Sequence, residues 1–175
     1  MIKTLAMVTA AALAALLLYA ATRPDTFRVQ RSVSVNAPPA KIHLLINDMR
    51  RFNSWNPYAK KDPDMKGTYR GPEAGPGAAF DFAGKKSGTG RIEVVGPASA
   101  TGVSMRLDMT EPFEGHNRVE FLLVPEGATT RVTWAMHGPS PYLSKLVGVF
   151  LDMDTMIGRD FEAGLADMKA LAEQP

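Results

Sequence analysis

The sequence predicts an α+β domain in which a curved antiparallel sheet of about seven strands wraps around one long C-terminal helix. Apolar and polar residues alternate in a series of short segments between Phe27 and Met136, a pattern typical of half-buried strands. Glycine and proline separate consecutive segments by short connections, which favour antiparallel pairing. After Ser140-Pro141 the apolar residues follow a helical period as far as Ala172.

Charge and composition exclude several classes of function. The 175 residues include 20 Lys and Arg against 18 Asp and Glu, a net charge of +2, and basic residues never run longer than a pair. Nucleic acid is not an expected partner, because binding its phosphates requires a concentrated basic face. The absence of Cys excludes disulfides, thiolate catalysis and zinc bound through sulfur.

The N-terminal segment, residues 1–22, is predicted to lie outside the domain. It contains 19 consecutive residues without a charge, Thr4 to Thr22, and is rich in Ala and Leu. At about 1.5 Å per residue, a helix of this length just crosses a hydrocarbon core of ~30 Å. We therefore expect 1–22 to be an uncleaved transmembrane anchor, 23–26 to be a linker and 27–173 to be the domain.

A cleaved signal peptide is the alternative for residues 1–22, with Lys3 as its basic region and a cut after Ala20 or Ala21. The usual small residue is missing three positions before that cut, where Leu18 or Tyr19 would stand. Positive charges flank the segment on both sides, so their count does not decide its orientation in a membrane. We expect a single-pass protein whose domain lies outside the cytoplasm.

Individual elements follow from the same patterns. Two short helices, Ala40–Asn47 and Met49–Trp55, are predicted after the first strand, and Asn56-Pro57 ends the second of them. A weaker strand is expected over Lys66–Arg70, and further strands follow, separated by turns such as Gly96-Pro97-Ala98. One amphipathic helix, Tyr142 to Ala172, remains to cover the sheet.

A sheet curved around one helix encloses space wherever the side chains of the two do not meet. Aromatic residues and flexible Met side chains suit the wall of such a cavity, although Met also fills gaps in ordinary cores. Trp134 shares strand parity with Val132 and Met136, which predicts that it faces inward. The predicted cavity wall consists of Phe80, Phe82, Met105, Phe121, Trp134, Met136, Met153 and Ile157.

Signals for metal or cofactor binding are weak. The three histidines, His43, His116 and His137, are too scattered for a metal site. The glycine-containing turns that begin at Gly75 and Gly84 do not complete a nucleotide-binding fingerprint. We expect neither a metal nor a cofactor.

Five motifs point to a family: Arg31-Ser-Val-Ser-Val-Asn-Ala-Pro-Pro39, Phe52-Asn-Ser-Trp-Asn-Pro57, Phe113-Glu-Gly-His-Asn117, Thr130-Arg-Val-Thr-Trp134 and Gly158-Arg-Asp-Phe-Glu-Ala-Gly-Leu165. With the order of elements, they resemble the SRPBCC superfamily, the START-like or polyketide cyclase/dehydrase type of helix-grip domain. The resemblance covers Phe27 to Glu173. The resemblance implies a deep apolar pocket between sheet and helix. Members of the family carry lipids or hormones or assist polyketide ring closure. The family has no universal set of catalytic residues, so the resemblance assigns none to this sequence.

We predict that the domain binds an apolar or amphipathic, lipid-like molecule without transforming it. One alternative is a cyclase-like or hydrolytic enzyme that uses His137, His116 or Asp154. Asp154 and Asp152 flank the apolar stripe of the long helix. A carboxylate at the rim of a dry pocket has a raised pKa and can transfer a proton. The other interpretation is that both carboxylates lie in water or pair with Arg159, where they have no such role. Another alternative is a co-chaperone-like module that uses the outer face of the sheet. The sequence does not indicate an oligomeric state.

Overall fold

The computed structural model describes residues 1–96, 99 and 101–175. Within these residues seven strands form one antiparallel sheet in the order β1-β7-β6-β5-β4-β3-β2. The strands are β1 (Thr26–Val35), β2 (Lys66–Arg70), β3 (Ala79–Gly84), β4 (Gly88–Val94), β5 (Gly102–Glu111), β6 (Gly115–Glu126) and β7 (Thr129–Pro139). The predicted sheet is confirmed. Residues 97 and 98 of the predicted turn lie outside the described residues.

Short helices connect β1 to β2, as predicted, but the described residues contain three of them. The helices in chain order are α1 (Ile2–Ala21), α2 (Pro39–Asn47), α3 (Met49–Trp55), α4 (Pro57–Lys61), α5 (Tyr142–Val147) and α6 (Met153–Ala172). Asn56 ends α3 and also begins α4, because its side chain accepts a hydrogen bond from the backbone N–H of Tyr58. Pro57 then occupies the first turn of α4, where its missing N–H has no cost.

The long C-terminal helix is confirmed as α6, but it is shorter than the predicted span of 142–172. The chain leaves helical geometry after Val147, and α6 begins only when the side chain of Asp152 accepts a hydrogen bond of 3.0 Å from Thr155 N–H. Apolar residues between the two helices, such as Phe150 and Leu151, are exposed instead of facing the sheet.

The N-terminal helix α1 is long and apolar enough to cross a membrane or to serve as a signal sequence. Most of its side chains are exposed, and its last turns contact the rest of the protein. There Ala20 is fully buried and α1 packs beside α5.

The concave face of the sheet packs against α6. Trp134 is 2% exposed on this face, which confirms its predicted inward direction, and its backbone lies opposite Arg31 on β1 and Phe121 on β6. Two charged pairs hold α6 along β1: Arg31 Nη2 lies 2.9 Å from Asp154 Oδ2, and Arg31 Nε lies 2.8 Å from Glu162 Oε1.

The outer face of the sheet is polar. A chain of ion pairs runs across five strands on this face, with atom separations from 2.7 to 3.4 Å. Each side chain in the chain is partly exposed, so the pairs sit in solvent and contribute little to stability individually. The residues, in order from β2 to β6, are Arg70, Asp81, Arg91, Glu93, Arg106, Asp108 and His116.

Candidate functional site

A cavity of about 340 Å³ lies between the concave face of the sheet, α6 and the short helices α3 and α4. This volume falls within the range of sites that enclose small molecules. The lining is mostly apolar. The residues around it are Phe52, Asn56, Tyr58, Met65, Phe80, Phe82, Ser87, Ile92, Leu107, Met109, Asn117, Val119, Trp134, Met136, Met153, Ile157 and Phe161.

The cavity occupies one half of the sheet, and a packed core fills the other half. Strand register places cavity residues Met109 and Asn117 near the β5–β6 turn, at the same end of the sheet as the start of β1 and the end of β7. At the opposite end Val94, Met105 and Phe121 are buried among residues of α2 and α3.

Trp134 marks the boundary between the two halves. Its indole stacks on the ring of Phe161 at 4.0 Å with an interplanar angle of 9°, and it meets Trp55 edge to face at 5.6 Å. Phe121 lies 5.1 Å from it on the core side. An edge-to-face contact such as the one with Trp55 is favourable beyond the apolar area it buries. Trp134 therefore forms a rigid floor for the cavity.

The predicted wall residues divide across this boundary. Six of them line the cavity: Phe80, Phe82, Trp134, Met136, Met153 and Ile157. Met105 and Phe121 are 0% and 2% exposed and belong to the packed half, so they do not line the cavity. Alternation within a strand gives the face of a residue but not its position along the strand, which explains the difference.

A few polar groups are set into the apolar wall. The indole N–H of Trp134 is buried and has no hydrogen-bond partner among the described residues. Burial, together with the charge of Asp160, raises the pKa of Tyr58 far above its ordinary value, so its phenol remains a neutral donor. Asn117 also lines the cavity. Its side chain packs against the backbone of Gly138, where an added Cβ would lie only 2.2 Å from Asn117 Oδ1.

These polar positions are absent from the predicted wall. Extending the β6 alternation of Val119 and Phe121 back by two residues places Asn117 on the inward face, so this signal is present in the sequence. Tyr58 belongs to α4, and its direction depends on how that short helix packs against α6.

The histidines proposed for an enzyme alternative face away from the cavity. His116 Nδ1 lies 2.7 Å from Asp108 Oδ1 on the outer face, and His137 Nε2 lies 3.4 Å from Glu120 Oε2. Neither histidine lines the cavity.

The two aspartates at the start of α6 are each engaged with a partner outside the cavity. Asp154 pairs with Arg31, not with Arg159. Hydrogen bonds from the side chain and backbone of Thr155 hold the pKa of Asp152 below its ordinary value, which is the opposite of what a proton donor requires. Neither aspartate lines the cavity, and among the described lining residues no side chain carries a carboxylate or an imidazole.

A metal site has no support within the described part of the chain, where no group of three or more His, Cys, Asp or Glu residues could hold an ion. The cavity wall offers neutral donors and acceptors of the amide, hydroxyl and indole types. Such groups orient an uncharged or weakly polar molecule inside an apolar chamber.

The fold and the cavity define a helix-grip domain with an internal apolar chamber. A model of one family matches residues 26–173, and its description is polyketide cyclase/dehydrase and lipid transport. The chain belongs to this family. No curated protein matches the sequence.

Solved structures share the fold at low sequence identity. Protein CV1439 from Chromobacterium violaceum is 14% identical with a TM-score of 0.60, covering 87% of this chain and 100% of that one. Ginseng major latex-like protein 151 from Panax ginseng is 10% identical with a TM-score of 0.61, covering 86% and 100%. Aha1 from Colwellia psychrerythraea, solved as a dimer, is 16% identical with a TM-score of 0.56, covering 84% and 96%.

Proposed function

We propose that the domain binds one apolar or amphipathic, lipid-like molecule in the cavity above Trp134 and releases it unchanged. The observation that carries this proposal is a chamber of about 340 Å³ with an apolar wall and few polar groups. Binding there is driven by removal of apolar ligand surface from water. The family's description, which includes lipid transport, supports the same class of ligand.

A binding role fits the lining better than a catalytic one. Acid–base catalysis needs a titratable group within hydrogen-bond reach of the reacting atom. The histidines and aspartates considered for that role are on the outer face or held in ion pairs and caps. The polar groups that do reach the cavity, including Tyr58 and Asn117, are suited to orienting a ligand.

Native mass spectrometry of the full chain, extracted from its own membrane fraction, tests the proposal. We expect a bound small molecule on the wild-type protein. Adding that molecule at about 100 times its dissociation constant should raise the melting temperature by about 5–10 °C. A protein that is always empty, and whose melting temperature does not change with any lipid mixture, would refute it.

Paired variants separate the cavity from the surface. Ile157→Trp places a large side chain in the cavity wall and should abolish ligand binding while the protein remains folded. Leu122→Trp is the matched control, because Leu122 is 52% exposed on the outer face. Equal ligand occupancy in the two variants would place the ligand elsewhere.

We also propose that α1 is retained as a single-pass anchor and that the domain lies outside the cytoplasm. Its length and apolar composition support the span, and its contact with α5 gives its last turns a structural role after synthesis. Amino-terminal sequencing of the native protein tests retention, since a mature chain that begins near Ala21 would show a cleaved signal peptide.

The side of the membrane needs a separate measurement. The chain has no Cys, so Leu122→Cys provides a single exposed thiol on the domain. A membrane-impermeant maleimide should label this thiol in intact cells if the domain is extracytoplasmic. Labelling only after the cells are lysed would place the domain in the cytoplasm instead.

A further inference from the structure

Exposed apolar side chains of the domain concentrate in the connection between β7 and α6, here called the apolar segment and defined as residues 142–153. In it Phe150 is 70% exposed, Leu143 is 55% exposed and Leu151 is 47% exposed. Tyr142, Val147 and Met153 add further exposed apolar surface. Contiguous apolar patches on a soluble surface are uncommon and mark sites of contact with a partner or a membrane.

The apolar segment is joined directly to the end of α1. The phenol of Tyr142 donates a 2.9 Å hydrogen bond to the carbonyl oxygen of Leu17. One turn further on, Lys145, whose side chain is only 9% exposed, pairs with Asp25 at 2.5 Å. Leu17 lies four residues before the end of α1, a rise of about 6 Å. Therefore α5 lies level with the last turn of the apolar helix.

The cavity extends to the same end of the molecule. Met153, the last residue of the apolar segment, lines it, and so does Ile157 one turn further along α6. Met109 and Asn117 line it beside the β5–β6 turn, at the end of the sheet where β7 leads into α5. In that turn Phe113 is 68% exposed. The end of the cavity lined by Met153, here called its mouth, is thus bordered by exposed apolar side chains.

We propose that the apolar segment lies in the interfacial layer of the bilayer that α1 spans, so that the cavity exchanges its occupant directly with the lipid. This inference rests on the proposed function, because it requires α1 to be a retained anchor. A bilayer is the partner that fits this surface, because Tyr142 of the apolar segment contacts α1 at Leu17, within the helix that spans the bilayer. The aromatic body and polar tip of a tyrosine suit the boundary between hydrocarbon and water.

Depth-dependent fluorescence quenching tests the proposal on the full chain in phosphatidylcholine vesicles. Single-Cys variants are available without background because the chain has no Cys. Leu13→Cys reports on α1, Phe150→Cys on the apolar segment and Met153→Cys on the cavity mouth. Leu122→Cys is the control, because Leu122 is an apolar residue that is 52% exposed on the outer face of the packed half of the sheet. Each thiol carries an environment-sensitive dye, and spin-labelled phosphatidylcholine is the quencher.

The expected result is strong quenching at positions 13, 150 and 153, and quenching at least fivefold weaker at position 122. Quenching at 13 without quenching at 150 would show an anchored protein whose apolar segment stays in water, which overturns the inference and leaves the proposed function intact. Quenching at 150 but not at 153 would overturn the placement of the mouth. An unquenched position 13 would refute the anchor itself and the inference with it.

Discussion

Gly158 on α6 lies directly against the guanidinium of Arg31 on β1: a Cβ on this glycine would come within 2.0 Å of Arg31 Nη2. The same guanidinium contacts Asp154 at 2.9 Å and Glu162 at 2.8 Å, so both charged partners lie one turn away on either side of the glycine. Arg31 can reach α6 only because position 158 has no side chain.

Gly158→Ala should therefore destabilise the domain, even though alanine favours a helix by about 1 kcal/mol over glycine. The added methyl group displaces the Arg31 guanidinium and breaks its contacts with Asp154 and Glu162. In an Arg31→Met background no guanidinium is present, and the same substitution should stabilise the domain. Urea denaturation of the four proteins in this double-mutant cycle measures the effect.

Gly164→Ala is the control for that cycle. Here a Cβ would lie 2.8 Å from Pro57 Cδ and from Trp134 Cζ3, atoms of rigid rings that cannot move aside cheaply. This variant should lose stability in both the wild-type and the Arg31→Met background. If Gly158→Ala has the same sign in both backgrounds, Arg31 is not the reason for the glycine.

Met105 and Met136 provide a matched comparison of core and cavity. Met105→Ala leaves a void in the packed half of the sheet and should cost about 2–5 kcal/mol of unfolding free energy. Met136 borders space that is already open, so Met136→Ala should cost less than half as much and should weaken ligand binding instead. Urea denaturation and ligand titration measure the two effects. Equal stability losses would mean that the cavity is closed in solution.

The strand patterns predict much of this site but not its extent. Alternation assigns Trp134 and Met136 to the inward face correctly because the period of a strand is two residues. Whether an inward residue borders the cavity or the core depends on where α2 and α3 cover the sheet. Met105 and Phe121 lie under those helices, and no local sequence signal reports that distant packing.

Trp134→Phe should discriminate between ligands. The variant keeps an aromatic floor against Phe161 but removes the unpartnered indole N–H. A methyl ketone of suitable length should lose about 2- to 10-fold in affinity, because it loses one hydrogen bond. The alkane of equal length should bind almost unchanged. Isothermal titration with both probes tests this, and equal losses would mean that the N–H does not contact the occupant.

The break between α5 and α6 shows that a helical period of apolar residues in the sequence does not ensure one continuous helix. Leu143, Leu146, Val147 and Phe150 continue the apolar spacing of α6, which predicts a single helix covering the sheet. In the structure the Asp152 cap restarts the helix, and Leu143, Val147 and Phe150 are exposed, while α5 packs beside α1. The period records which residues are apolar, but it does not distinguish apolar residues buried against a sheet from apolar residues exposed at the surface.

His116 and Asp108 on the outer face carry the last prediction. The hydrogen bond that the His116 imidazole donates to the Asp108 carboxylate raises the pKa of His116, and partial desolvation of the ring only partly opposes that change. Desolvation opposes ionisation of Asp108, but hydrogen bonds from His116 and Arg106 outweigh it and hold the pKa of the carboxyl below its ordinary value. Both shifts favour the charged pair in the folded protein.

The pair should stabilise the fold only within a defined pH window. The stabilisation that comes from Asp108 is present above the pKa of about 3.9 that a carboxyl has in the unfolded chain, and it is lost as the pH falls through the lowered pKa of the folded protein. The stabilisation that comes from His116 is complete below the unfolded imidazole pKa of about 6.5 and is lost as the pH rises through the raised value. Wild type should therefore melt above His116→Gln at pH 5.5, by at most about 4 °C because the pair is solvent-exposed. The difference should disappear by pH 9, and a difference that is constant from pH 5.5 to 9 would show that the imidazole contributes without its charge.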